Sequence, residues 1–227
     1  YAIFMRGMDG SPAVRLGNGE FPRLSPDEKW VAALTLDETP QVQLLPTGAG
    51  QPRKITSDGM RHGSVGWSPS GKALFFTAAE PGHGPRACWF DLATGKSRVI
   101  TPEWVVPIAV SPDERSILAV ETNRKCWVYP LDGSAPRLLP LELQLDERVQ
   151  AWEPGGKTLL VVKWGMPAYI LRVDIDSSKR EVVRELMPND PAGVSIVTGA
   201  RWTPDLKTYA YFYLRTLSTL YAVDAVK

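Results

Sequence analysis

Short apolar runs recur along the chain: Trp30-Val31-Ala32-Ala33-Leu34, Ala73-Leu74-Phe75-Phe76, Ile117-Leu118-Ala119-Val120, Leu159-Leu160-Val161-Val162 and Tyr209-Ala210-Tyr211-Phe212. Unbroken apolarity over so few residues predicts strands buried on both faces. Before each run stands one phrase, an apolar and a small polar residue, Pro, two turn formers and a base. The copies are Leu24-Ser25-Pro26-Asp27-Glu28-Lys29, Trp67-Ser68-Pro69-Ser70-Gly71-Lys72, Val110-Ser111-Pro112-Asp113-Glu114-Arg115, Trp152-Glu153-Pro154-Gly155-Gly156-Lys157 and Trp202-Thr203-Pro204-Asp205-Leu206-Lys207. Pro presets φ, Asp bonds nearby backbone and Gly accepts positive φ, so each phrase predicts a tight hairpin turn. A second hairpin belongs to each unit: Phe4 to Leu16, Val42 to Ile55, Trp89 to Ile100, Trp127 to Leu139 and Ile170 to Leu186, each around Gly, Asp or Ser turn residues. With 20 prolines and 19 glycines as punctuation, almost no helix is expected.

The phrase prolines stand 43, 43, 42 and 50 residues apart. One four-stranded propeller blade occupies roughly 40–45 residues. The predicted fold is therefore all-β, a β-propeller of four-stranded antiparallel blades with five motif-bearing repeats. Residues 1–227 are read as one propeller domain or fragment. It has an outer hairpin at 1–17, blades at about 20–57, 61–101, 105–140 and 148–187, and a partial blade at about 197–227 that includes a strand from Leu220 to Val226. Either Ala13 to Leu16 completes the last blade and closes a five-bladed propeller, or the chain is part of a six- to eight-bladed one with blades upstream of Tyr1.

Hydrophobic residues make up 44% and charged residues 22%, a composition that folds. Lys and Arg number 26 against 25 Asp and Glu, so no positive field recruits nucleic acid, which is excluded as a partner. No apolar run nears the roughly 18 residues of a span, and direct membrane insertion is not expected. The Tyr1 start lacks a signal pattern and an initiating Met and reads as a piece of a longer protein. Cys88 and Cys126 precede Trp in equivalent strands of neighbouring repeats; sheets packed about 10 Å apart exceed disulfide reach, so both are read as buried thiols.

Candidate chemistry is sparse. His62 and His83 are the only histidines, which excludes a multi-histidine zinc site and leaves one of these two for any Ser-His-Asp triad. No Gly-x-Ser-x-Gly elbow occurs. His83, in Pro81-Gly82-His83-Gly84-Pro85, reads as an exposed loop residue, and His62 as a solvated loop residue just before an inner strand. Asp174, Asp176, Ser178 and Glu185 match calcium-loop positions, but Lys179 replaces the required Gly and the segment reads as a hairpin. Glu20, Glu103 and Glu147 stand at the starts of inner strands, where a glycosidase would need its acids. No catalytic residue, metal ligand or cofactor is assigned. Trp67, Trp152 and Trp202 share one repeat position and Trp89 and Trp127 another, as core aromatics do. Trp104 and Trp164 fall outside both and are the candidate surface aromatics. Loops leading into innermost strands converge at one end of a propeller, so Arg23, Arg61, His62, Arg148 and Arg201 are candidate binding residues around the channel mouth, the arginines suited to carboxylates, a partner's chain terminus included.

The repeat resembles the WD40-like (PD40) repeat of the TolB kind, in the Ser-Pro-Asp phrase and in later halves such as Leu44-Leu45 through Ile55-Thr56 and Trp89-Phe90-Asp91 through Ile100-Thr101. Ser11 to Gly17, Leu44 to Gly50 and Thr208 to Lys227 resemble the C-terminal propeller behind bacterial serine/threonine protein kinase domains. Glu153 for Ser and Leu206 for Gly depart from the repeat and are expected to weaken their turns. The resemblance implies a non-catalytic binding or sensing module of a bacterial signalling protein, with a natural C-terminus at Lys227. It would take a protein, peptide or small ligand at the propeller mouth, on the periplasmic side if the parent is a receptor kinase and in the cytoplasm otherwise. The competing reading is a five-bladed glycosidase or the gating propeller of a prolyl-oligopeptidase-like peptidase.

Overall fold

A computed structural model describes residues 1–203 and 207–218, and every regular element among them is a β-strand. An opening hairpin pairs β1 (Ala2–Met5) with β2 (Val14–Asn18). Then come β3 (Glu20–Leu24), β4 (Trp30–Leu34), β5 (Val42–Pro46) and β6 (Arg53–Lys54), a four-stranded sheet in sequence order. The strands β7 (Arg61–Trp67), β8 (Ala73–Ala79), β9 (Arg86–Asp91) and β10 (Lys96–Val99) form a second antiparallel set. A third comprises β11 (Val105–Val110), β12 (Ser116–Glu121), β13 (Lys125–Pro130) and β14 (Arg137–Glu142). One parallel pair, Val105 with Arg86, joins these two sets into an eight-stranded sheet. A fourth set holds β15 (Glu147–Trp152), β16 (Thr158–Lys163), β17 (Ala168–Asp174) and β18 (Arg180–Leu186), and a last pair is β19 (Val194–Trp202) with β20 (Tyr209–Arg215).

The Pro phrases fold as turns for a reason visible in their hydrogen bonds. In the first, the Ser25 hydroxyl accepts the Trp30 N–H at 3.0 Å and donates to Asp27 at 2.6 Å. Ser111 repeats both bonds with Ser116 and Asp113, at 3.0 and 2.6 Å. The residue three beyond the small polar one takes positive φ in four copies, Glu28, Gly71, Glu114 and Gly156. Glycine adopts that conformation without penalty, and the glutamates carry a cost of roughly 1 kcal/mol. Glu153 does not leave its turn weak: its carboxylate accepts the Thr158 hydroxyl at 2.5 Å and a bidentate pair from Arg172 at 2.8 and 3.0 Å. Pro204-Asp205-Leu206 of the fifth phrase and the strand expected from Leu220 to Val226 lie outside the described residues.

The chain divides into two compact units, Tyr1–Glu142 with Pro154–Gly156, and Leu143–Glu153 with Lys157–Lys227. In the first, Ala32, Leu34, Val42, Leu44, Val65, Leu74, Phe76, Ala78, Cys88 and Phe90 make one buried cluster, with Trp30 and Trp67 half-buried against it. Both cysteines are free and buried, and burial pushes the Cys88 thiol up to about 11. In the second unit Leu160, Val162, Ala168, Ile170, Leu186, Val197 and Ala200 cluster, with Trp164 and Trp202 against them. The second strands β4 and β16 are buried along almost their whole length, as unbroken apolarity predicts. The apolar strand β20 differs: Phe212, Tyr213 and Leu214 are exposed, because among the described residues it pairs with β19 alone.

Candidate functional site

In each antiparallel set the Pro phrase closes one end, and the loop into the first strand lies at the opposite, leading end together with the loop between the second and third strands. Against that geometry the five candidate mouth residues separate. Arg61 and His62 open β7 and Arg148 is second in β15, all at leading ends. Arg23 and Arg201 are the penultimate residues of β3 and β19, at the opposite, trailing ends of their strands. Strands rise about 3.3 Å per residue, so five residues of strand put roughly 17 Å between the two ends. The expectation that all five share one end is corrected accordingly.

Their surroundings separate them further. His62 is not a solvated loop residue: it is 1% exposed, because β7 begins at Arg61 and its alternation turns His62 inward. Its Nε2 lies 3.1 Å from Asp58 Oδ1 and its ring meets Phe76 edge-on at 5.0 Å between centroids. Arg61 is exposed, opposite Ala79. Arg23 is exposed too; its guanidinium donates to the Pro22 carbonyl at 2.9 Å and its own carbonyl accepts the Trp67 indole N–H at 2.9 Å. Arg148 stacks 4.5 Å over the Trp164 ring and donates to the carbonyls of Leu145 and Glu147. Arg201 donates to the Gln150 side chain and the Ala200 carbonyl. These last two guanidiniums hold the second unit's own surface together. Trp164 is corrected as well: it is partly buried against the second unit's core, where a backbone bridge from Gly165 to Val197 draws its loop down.

Trp104 is different. It is 55% exposed at the leading end of β11, and its φ is +68°. A bulky residue in that region is a strained outlier, and such strain concentrates at binding and switch sites. Two contacts hold it there. The Trp104 N–H donates to the Pro85 carbonyl at 2.7 Å. The indole lies against Gly84, so close that a Cβ at Gly84 would sit 2.5 to 2.8 Å from three ring atoms. Beneath, the Glu103 carboxylate ties the two loops together, accepting from His83 Nδ1 at 2.9 Å, the Gly84 N–H at 2.9 Å and Arg86 Nη2 at 3.0 Å. Glu80 stands 4.0 Å from Arg86. His83 is exposed, as its sequence context predicts, yet engaged with Glu103. The sequence reading missed this joint role of Gly84, Glu103 and Arg86. Its signal was the repeat period itself, which brings the β8–β9 loop and the loop before β11 to one end.

The Gly84 N–H, then His83 and Arg86, hold the Glu103 carboxyl below its ordinary 4.5. A carboxylate with a depressed folded value stabilises above its unfolded value, and that contribution is lost as pH falls through the folded one. Protection of the Gly84 amide from hydrogen exchange should therefore persist through mildly acidic pH and disappear only below 4.5. The Glu103→Ala variant, which removes the acceptor, should lose it at neutral pH, and unchanged protection in that variant would refute the lock.

Among the described residues no three His, Cys, Asp or Glu side chains gather as a metal-holding group. Asp174 instead accepts the N–H groups of Asp176 and Ser177 in the β17–β18 turn. No protein-family model matches the sequence, and no curated protein sequence matches it. Solved structures do resemble it. A putative TolB from Agrobacterium tumefaciens superposes with a TM-score of 0.70 at 19% identity, covering 95% of this chain and 84% of that one. TolB from Acinetobacter baumannii gives 0.66 at 17% identity over 94% of this chain, which spans 60% of that protein's length. An oligogalacturonate lyase from Vibrio parahaemolyticus gives 0.58 at 14% identity, covering 97% and 73%. With the repeated four-stranded antiparallel sets, these likenesses show that the chain has the all-β fold of a TolB-like β-propeller.

Proposed function

We propose that the chain is a non-catalytic binding module, part of a bacterial signalling protein, that engages a protein or peptide partner over Trp104 at the leading end of the first unit's sheets. The observation that carries this reading is an exposed indole fixed in a strained backbone conformation by Gly84, Pro85 and the Glu103 lock. Aromatic anchors that are rigid before binding lose little entropy on contact and dominate interface energies. The likeness to TolB supports the binding-module class at the level of fold only. Panning a random peptide library against the folded chain tests it. Enriched sequences should compete with one another and bind the Trp104→Ala variant at least about 30-fold more weakly. Enriched peptides that ignore this substitution would overturn the reading, as would turnover of an oligogalacturonide or a peptide by the purified chain.

A further inference from the structure

The first unit carries a cavity of about 610 Å³ between β1 and the start of β3. Small-ligand sites run from roughly 300 to 1,000 Å³. Three aromatic residues line this one, Tyr1, Phe4 and Phe21, and all three are exposed. Phe21 is placed there against its backbone preference, with φ at +52° where the β3–β4 register slips between Glu20 and Arg23. A bulky residue in that region persists only when its surroundings impose it, and such outliers concentrate at ligand sites. Here the approach to β3 is pinned by its neighbours. The Gly19 N–H donates to the Tyr1 carbonyl at 3.2 Å, the Gln43 side-chain amide donates to the Asn18 carbonyl at 2.8 Å, and a Cβ at Gly19 would stand 2.8 Å from the Leu34 carbonyl oxygen.

Charge narrows the class. Glu20 is the only charged side chain lining the cavity, it is half-buried, and among the described residues no hydrogen bond or ion pair engages its carboxylate. The Tyr1 amino group is the other formal charge of the lining; Tyr1 is 87% exposed, so water and salt screen it. Aromatic faces carry negative potential and attract a cation within about 6 Å, and quaternary ammonium ions are recognised in this way. We propose that the cavity binds a small quaternary alkylammonium ion, its charged head among Tyr1, Phe4 and Phe21 and beside Glu20. A primary ammonium such as a lysine side chain is strongly hydrated and would find one carboxylate for its three donors. An anion would meet Glu20, and an uncharged ligand would leave that carboxylate without a counterion.

The test is a titration of the isotope-labelled full chain, followed by nuclear magnetic resonance at the Ile3 and Gly19 amides. Choline is the probe. The comparisons are neohexanol, its uncharged carbon isostere, pivalate as an anion of similar shape, and acetyl-lysine methylamide as a peptide-borne primary ammonium. Choline should give saturable shifts, neohexanol should bind about tenfold or more weakly, the lysine derivative should also bind more weakly than choline, and pivalate should give no saturable shift. Glu20→Gln should weaken choline binding about threefold and leave neohexanol unchanged. Phe21→Gly removes one ring and relieves the positive φ, so it should keep the fold and bind choline about threefold more weakly. Melting curves confirm that each variant is folded, and if Phe21→Gly is not, Glu20→Gln decides alone. The proposal is overturned if choline gives no saturable shift at these amides, if any comparison binds as tightly, or if either folded variant binds choline like the parent chain.

Discussion

Phe76→Ala should cost about 3–5 kcal/mol of folding stability, the range for removing a buried aromatic ring and leaving a partly relaxed cavity. Phe76 is completely buried on β8, at the centre of the first unit's cluster, and its ring is the surface against which His62 packs edge-on at 5.0 Å. A domain of this kind has about 5–15 kcal/mol in all, so the variant should be close to unfolding at moderate temperature. Phe76→Leu keeps most of the volume and should cost about 1.5 kcal/mol or less. Denaturant unfolding of the three chains measures both values. A loss under about 1 kcal/mol for the alanine variant would mean that this cluster does not hold the first unit together.

Gly84→Ala should abolish partner binding over Trp104 while sparing the fold. The added methyl group would stand 2.5 to 2.8 Å from three indole atoms, so the indole must leave its seat. The backbone of Gly84 is not in the positive-φ region, so alanine is tolerated there and the effect reports the indole alone. Affinity for peptides enriched on the parent chain should fall about 30-fold or more, as for Trp104→Ala. The double variant should lose little beyond either single one, since both remove the same contact. Isothermal titration of the four chains measures this. A Gly84→Ala chain that binds like the parent would show that the seat over Gly84 is irrelevant.

The phrase Ser-Pro-Asp was readable because each of its residues has a local job: Ser25 and Ser111 accept the N–H five residues on, and Asp27 and Asp113 accept the serine hydroxyl. Local bonds repeat in sequence, so the period and the strand order followed from it. Apolar runs located β4 and β16 almost to the residue for the same reason. What depends on distant partners was not readable. The pattern around His62 looks like a loop because Gly63 and Ser64 follow it, yet pairing with β8 makes it an inward strand position. Trp164 sits beside Gly165 and Pro167, a turn-like context, and only the bridge to Val197 presses it onto the core. Trp104 stood out through its absence from the repeated Trp positions. Its partners, Gly84 and Pro85, lie in another loop and become its neighbours only when β9 and β10 bring the chain back. The arginines looked alike in sequence, and their strand positions sorted them.

The most direct test of the account is the set of indole N–H resonances of the ¹⁵N-labelled chain, compared with and without a saturating peptide enriched on it. The Trp104 signal should shift and gain protection from solvent while those of the half-buried Trp67, Trp152 and Trp202 stay in place. Saturation with the Trp104 signal unmoved would contradict the claim that this residue is the contact.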